Sequence, residues 1–219
     1  MGRVQIIPKE QAFILEKIAQ EPRIYKEFYF TGGTALNTVY LKHRESVDLD
    51  LFSSKKFDNQ ALREVIKKIA KENSLKIQEQ FTDPVYMYFL VFPNGKKIKV
   101  DFSYYPYRRF SNPTFYLQNI ETDGLFDIAI NKLLTVIQRH QVKDYVDLFY
   151  LMPEFGFWDL KEGVEKKFGI KIDLFLIASD FLAVEDFTFL PKMVKPLTLD
   201  DLKTFFREQA KKLARTVVE

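Results

Sequence analysis

Two aspartates, Asp48 and Asp50, alternate with three apolar residues, Val47, Leu49 and Leu51, and this pattern most constrains the fold. Successive side chains of a β-strand point to opposite faces, so the segment is predicted to be a strand with one apolar and one acidic face. Two neighbouring carboxylates repel each other unless a cation lies between them, and a divalent metal ion is a common partner. The alternative is a strand whose acidic face is simply solvated.

A double glycine, Gly32-Gly33, precedes the acidic strand and is followed by Thr34. Such a turn lets backbone N–H groups approach a phosphate, and the helix predicted to start at Thr34 adds a partial positive charge at its N-terminus. We expect Gly33 to adopt a positive φ angle in this turn. Metal binding combined with phosphate binding indicates nucleotide chemistry.

A third aspartate, Asp101, lies on a second alternating segment whose apolar residues are Ile98, Val100 and Phe102. Its carboxylate is therefore predicted to reach the same pocket from a neighbouring strand. Three carboxylates on adjacent strands suit a site for two Mg²⁺ or Mn²⁺ ions, one at the attacking hydroxyl and one at a triphosphate.

Residues 32–36 and 43–52 resemble the nucleotidyltransferase superfamily of the DNA polymerase β type, and more narrowly its AbiEii/AbiGii toxin branch. The superfamily has a Gly-Gly or Gly-Ser turn, an Asp-x-Asp or Asp-x-Glu pair and a later acidic residue, which corresponds to Asp101. Gly33 stands where the superfamily often has serine, and Thr34 follows it. The resemblance implies that Gly32, Gly33 and Thr34 bind the nucleotide.

The branch also has a second group of motif residues, and the chain matches it at Lys132 and at Lys143-Asp144-x-x-Asp147. The resemblance implies that Lys132 and Lys143 bind the nucleotide, and that Asp144 and Asp147 complete the pocket in a cleft shared with the strand aspartates. Asp147 would then be catalytic together with Asp48, Asp50 and Asp101. From the residues alone, Asp144 can equally cap a helix and Lys132 can cover a core. The matched motifs lie between about residue 30 and about residue 151.

The predicted elements indicate an α+β protein with two parts. Residues 1–118 are predicted to form a nucleotidyltransferase-like mixed sheet with flanking helices, and residues 119–219 an all-helical lobe. Besides the acidic strand, the predicted strands are 28–30, 76–81, 85–92 and 97–103; the predicted helices are 9–19, 34–42, 59–72, 125–140, 144–152, 158–168, 173–181 and 198–216.

Composition excludes several classes of protein. The 219-residue chain has no cysteine, which excludes disulfides, thiolate metal sites and cysteine nucleophiles. Its net charge of +3 is too small to indicate a strongly basic nucleic-acid surface. Neither a signal segment nor an apolar run of membrane-spanning length is visible, so we expect a cytoplasmic protein without membrane contact.

Together, the motifs predict a Mg²⁺-dependent nucleotidyltransferase that uses an NTP. The resemblance implies that the nucleotide moves to a hydroxyl of RNA, such as a tRNA 3′ end, or of a protein. The resemblance implies the toxin of a toxin–antitoxin or abortive-infection pair in phage defence, with a cognate antitoxin as partner. The alternative is a catalytically silent nucleotide- or partner-binding protein with the same fold. Metal-dependent glycosyltransferases also use Asp-x-Asp, but the surrounding pattern lacks their nucleotide-sugar scaffold.

Overall fold

The computed structural model describes residues 7–82, 84–117 and 119–218. The chain divides into two compact units, residues 1–124 and residues 125–219. The first unit contains a mixed β-sheet with flanking helices, and the second unit is helical. This architecture confirms the predicted α+β fold class.

The sheet of the first unit is built from short strands: β1 (Tyr29–Thr31), β2 (Asp48–Ser53), β3 (Lys76–Thr82), β4 (Val85–Val91), β5 (Lys97–Tyr104), β6 (Thr114–Phe115) and β7 (Glu121–Thr122). Their order across the sheet is β3-β4-β5-β2-β1-β7-β6. The acidic strand β2 lies at the centre, where it pairs in parallel with β5 and antiparallel with β1. Side chains on β2 therefore have strand neighbours on both sides.

The predicted alternation on β2 is present. Leu49 and Leu51 have no exposed surface, whereas Asp48 and Asp50 on the other face are half-buried. Val47 is 61% exposed, so its predicted place on the apolar face is wrong. The strand, and with it the alternation of faces, begins only at Asp48.

The helices of the first unit are α1 (Lys9–Gln20), α2 (Pro22–Tyr25), α3 (Gly32–Ala35) and α4 (Asn59–Glu72), and a π-helical turn, Leu36–Leu41, follows α3. The predicted bounds of α4 are confirmed. The helix starts after Asp58, whose carboxylate accepts hydrogen bonds from the backbone N–H groups of Gln60 and Ala61. The helix predicted to start at Thr34 begins earlier, at Gly32, and widens into the π-helical turn.

The second unit contains α5 (Leu125–Gln138), α6 (Val142–Phe155), α7 (Phe157–Phe168), α8 (Leu174–Leu182), a 3₁₀ turn (Ala183–Asp186) and α9 (Leu199–Val218). Its core is aromatic, since the Phe206 ring packs edge-on against Tyr145 and Phe181. A fully buried ion pair, Lys167 Nζ to Asp127 Oδ1 at 3.0 Å, joins α7 to α5. Within the described ranges, no helix has both the length and the apolar character needed to cross a membrane.

Candidate active site

The three strand aspartates lie on one face of the sheet. In the parallel pairing of β2 with β5, Asp50 lies opposite Asp101 and Asp48 lies opposite Lys99. Residues that face each other across paired strands project to the same side of the sheet, as do residues two apart along one strand. Asp101 is 8% exposed, so its carboxylate lies deeper than those of Asp48 and Asp50. The predicted approach of Asp101 from a neighbouring strand is thus observed.

A lysine shares this acidic face. Lys99 Nζ lies 2.5 Å from Asp101 Oδ2. Burial on its own lowers the pKa of Lys99, but the hydrogen bond to Asp101 and the charges of Asp101, Asp48 and Asp50 outweigh it and raise the pKa above its usual value. The ammonium group therefore interacts electrostatically with all three carboxylates.

The glycine turn packs directly against one of these carboxylates. Strand β1 ends at Thr31, which is paired with Asp50, and the next residue, Gly32, has φ +74°. A Cβ atom at Gly32 would lie 2.1 Å from Asp50 Oδ2. Glycine is required here for two reasons, the left-handed backbone and the close approach of the Asp50 side chain.

The predicted positive φ of Gly33 is wrong, because Gly33 lies in the first turn of α3 and the left-handed angle belongs to Gly32. A Cβ atom at Gly33 would lie 2.8 Å from Arg44 Nη2 and 3.2 Å from Ser46 Oγ. Arg44 is 3% exposed, so its guanidinium group has little room to move away. The lack of a side chain at Gly33 therefore accommodates Arg44.

Thr34 connects the glycine turn to the acidic strand. Its hydroxyl donates a hydrogen bond to the backbone carbonyl of Asp48 and lies 2.9 Å from Ser46 Oγ. Gln11 Nε2 donates a further hydrogen bond to the same oxygen at 3.4 Å. The Thr34 side chain is almost fully buried, which shows that it positions the start of β2 relative to the turn.

Two further residues around this turn escaped the sequence analysis. Asn37 Nδ2 donates to the Gly33 carbonyl at 2.9 Å, and Asn37 Oδ1 accepts from the backbone N–H of Arg44 at 3.1 Å. Asp123 is fully buried and accepts a hydrogen bond from Thr31 Oγ1 at 2.9 Å. An asparagine four residues after a glycine on one predicted helix was a weak signal for Asn37, whereas the two-residue strand before Asp123 has no readable pattern.

We expect Gly32→Ala to destabilise the protein more than the matched variant Gly95→Ala. Both glycines have positive φ, so each alanine adds about 1–2 kcal/mol of left-handed backbone strain. Only at Gly32 would the new Cβ meet a side chain, since the described structure places no atom beyond the two adjacent residues within 4 Å of a Cβ at Gly95. Urea denaturation of both variants measures the difference, and equal losses of stability would show that Asp50 does not press on the turn.

A second charged cluster lies in the helical unit. Lys132 Nζ on α5 is 2.8 Å from Asp144 Oδ1 and 2.6 Å from Asp147 Oδ2, both on α6. Arg139 Nε, which the sequence analysis missed, lies 3.0 Å from Asp144 Oδ2. Both carboxylates are fully buried and Lys132 is 7% exposed. The structure thus brings together Lys132, Asp144 and Asp147, and Asp144 pairs with cations, whereas the residue at the helix N-cap is Gln141.

Lys143 lies apart from the Lys132 contacts. It is half-buried and lines a cavity of about 480 Å³ at the start of α6, together with apolar residues that include Phe187, Phe189 and Pro191. The residues that follow it, Asp144 to Leu148, are buried in the helical unit. The structure therefore separates Lys143 from the two aspartates of its motif.

The chemistry of the acidic face suits a divalent cation. Carboxylate oxygens are the ligands that Mg²⁺ and Mn²⁺ prefer, and the bond from Lys99 to Asp101 shows that the face attracts positive charge. The described side chains nevertheless contain no group of three or more Asp, Glu or His residues already arranged around a common metal position. The residues fit a divalent ion in their chemical type and in the face of the sheet that they share.

Comparison with solved structures defines the class of fold. JHP933 from Helicobacter pylori has a similar crystal structure, with a TM-score of 0.56, 20% identical residues and coverage of 96% of both chains. A second H. pylori crystal structure, of a protein described as a candidate nucleotidyltransferase, gives a TM-score of 0.51 and 22% identity over 95% of this chain and 99% of that one. The fold is that of nucleotidyltransferases.

Comparison of sequences defines the family. An uncharacterized protein of Aquifex aeolicus (strain VF5), aq_aa25, is 32% identical over 223 residues, covering 97% of each protein. The family described as nucleotidyl transferase AbiEii toxin, type IV TA system, matches residues 14–216. The chain therefore belongs to the AbiEii nucleotidyltransferase toxin family. The match confirms the resemblance and extends it from the motifs to the C-terminal helices.

Proposed function

We propose that this AbiEii family member transfers a nucleotide from an NTP to a hydroxyl group, with Mg²⁺ or Mn²⁺ as cofactor. The observation that carries the proposal is the register that sets Asp50 beside Asp101 while Gly32 packs against the Asp50 carboxylate. One small region of the sheet thus combines metal-binding oxygens with a turn at which a phosphate can approach the backbone.

Each group of the first unit has a chemical role in this proposal. Asp48 and Asp50 hold the divalent cations, which when bound neutralise the charge of the triphosphate. Asp101 helps to bind the catalytic ion and favours deprotonation of the acceptor hydroxyl, and Gly32 and Gly33 give the phosphates access to backbone N–H groups. Because phosphoryl-type transfer depends mainly on positioning and charge neutralisation, these groups need no covalent intermediate with the protein.

The second unit contributes lysines to this proposal. We propose that Lys132 contacts the phosphates of the nucleotide, with Lys143 as a second basic group, and that Asp144 and Asp147 complete the pocket, as the family resemblance implies. Lys132 lies between two buried carboxylates, which fix the position of its ammonium group. A lysine held in this way presents its charge with little loss of side-chain entropy on binding.

The family suggests an acceptor and a biological role. We propose an acceptor hydroxyl at a tRNA 3′ end or on a protein, and a role as the toxin of a toxin–antitoxin pair that acts in phage defence with a cognate antitoxin. The membership in a type IV toxin family supports this role.

Incubation with each labelled NTP and Mg²⁺ tests the proposal. Total tRNA, tRNA with its 3′ terminal diol oxidised by periodate, and a protein extract serve as separate acceptors. We expect label on one acceptor only, with one NTP preferred, and none in EDTA. Label on intact but not on oxidised tRNA identifies the 3′ hydroxyl, whereas label on the extract identifies a protein acceptor.

A catalytically silent nucleotide- or partner-binding protein is the second candidate, and one contact favours it. Mutual repulsion of three carboxylates argues against keeping them without a metal ion, but the Lys99–Asp101 ion pair reduces that repulsion. NTP binding without transfer to any acceptor would support this candidate. Absence of both NTP binding and transfer would contradict the transferase and the nucleotide-binding function, and would leave partner binding.

A further inference from the structure

We infer that Lys99 is a resident cation of the acidic face, which competes with a divalent metal ion for Asp101 and thereby lowers the metal affinity of the site. The inference deepens the proposed function and rests on its metal-binding part. It concerns how the chain keeps three carboxylates together and what a metal ion must displace.

The geometry places Lys99 inside the acidic cluster. Lys99 and Asp101 are two residues apart on β5 and therefore project from the same face of the sheet. Lys99 is the strand neighbour of Asp48, and Asp101 is the strand neighbour of Asp50. With side chains 29% and 12% exposed, Lys99 and Asp101 form a partly buried ion pair, which solvent screens less than a surface pair.

Neighbouring lysines of the same segment serve other partners. Lys97 lies on the same face two residues earlier, but its Nζ donates to Gln78 Oε1 at 2.9 Å and lies 4.0 Å from the centre of the Phe89 ring. Lys96 Nζ pairs with Glu10 Oε2 at 2.8 Å. Of these three lysines, Lys99 is the one that contacts a strand aspartate.

Two opposite effects follow from one positive charge in this place. Lys99 offsets the repulsion among Asp48, Asp50 and Asp101 and so stabilises the metal-free protein. The same charge repels an incoming divalent cation, and the cation gains Asp101 Oδ2 as a ligand only when Lys99 releases that oxygen. Coulomb repulsion between a single and a double charge about 5 Å apart changes binding by about tenfold or more even in water.

Isothermal titration with Mg²⁺ and with Mn²⁺, without NTP, tests the inference on Lys99→Met, Lys99→Gln and Lys99→Arg. The two neutral variants should bind the ions about tenfold more tightly than the parent protein, and their melting temperature in EDTA should be lower. Lys99→Arg keeps the charge and should resemble the parent. Lys97→Met is the matched control on the same strand face, and its metal affinity should equal that of the parent.

Unchanged metal affinity in both neutral variants, or metal binding in none of the proteins, would overturn the inference. The outcome is separable from that of the proposed function, since neither readout requires catalysis. Tighter metal binding by Lys99→Met in a protein that transfers no nucleotide would support the inference and contradict the function. Normal nucleotide transfer together with unchanged metal affinity in Lys99→Met would support the proposed function and contradict the inference.

Discussion

Replacement of both strand aspartates, Asp48→Asn with Asp50→Asn, should reduce nucleotide transfer to background while the protein stays folded. The amides have nearly the shape of the carboxylates but supply no negative charge for a divalent cation. Two like charges are also removed from one strand face, so the melting temperature should be equal to or higher than that of the parent. Transfer is measured with labelled NTP, and folding by thermal unfolding followed by circular dichroism.

The matched control is Asp159→Asn with Asp200→Asn, which removes two exposed carboxylates from the first turns of α7 and α9. It changes the net charge by the same amount but leaves every carboxylate of the acidic face in place, so transfer should continue at the parental rate. A folded Asp48/Asp50 variant that also transfers nucleotide at the parental rate would place the active site elsewhere.

The strands of the site were predictable because a strand repeats every two residues. The alternation at Asp48 and Asp50, and again around Asp101, identifies the acidic face from a few consecutive residues. The register between the strands was not predictable, because Asp50 and Asp101 are far apart in sequence and their pairing depends on how the whole sheet assembles. The place of Lys99 beside Asp48 follows from that register and was missed for the same reason.

The backbone φ angles of the glycine turn also could not be predicted from the sequence. Gly32 and Gly33 are chemically identical, and both tolerate a positive φ. Which of them adopts it depends on the neighbours that arrive later in the chain, Asp50 beside Gly32 and Arg44 beside Gly33. With these contacts the positive φ angle belongs to Gly32, so the prediction for Gly33 is wrong.

In the helical unit, the family resemblance pointed to Lys132, Asp144 and Asp147, and their contacts with one another come from the packing of α5 against α6. Sequence alone could not decide between a helix cap and a place in the pocket for Asp144, because both uses put an aspartate near the start of a helix. The assignment of these residues and of Lys143 to one cleft with the strand aspartates stays a prediction.

The largest expected effect on stability comes from Lys132→Met. Its ammonium group lies within 2.8 Å of two carboxylates whose side chains have no exposed surface. Removal of the lysine leaves two buried negative charges with less compensation, and breaking a buried ion pair costs about 3–5 kcal/mol. Arg139 still bonds Asp144, whereas Asp147 loses its contact with the Lys132 ammonium group. Urea denaturation of Lys132→Met and of the parent protein measures this loss of stability.

A second substitution and a surface control identify the cause. Asp147→Asn in the Lys132→Met background removes one of the buried charges, so it should recover most of the lost stability. Lys166→Met removes the lysine of an ion pair on α7 whose side chains are more than 60% exposed, and stability should change little. If Lys132→Met were as stable as Lys166→Met, the buried cluster would not depend on its lysine.

The rescued variant also separates folding from function. Loss of a contact between Lys132 and the phosphates should weaken NTP binding by about 1–3 kcal/mol, the range for hydrogen bonds to charged groups. In Lys132→Met alone, weaker binding could reflect partial unfolding. In the stabilised variant with Asp147→Asn, the protein is folded, and weak binding must come from the missing ammonium group or from Asp147 itself. Asp147→Asn alone distinguishes these two causes, and parental NTP affinity in the rescued variant would restrict the Lys132 cluster to a structural role.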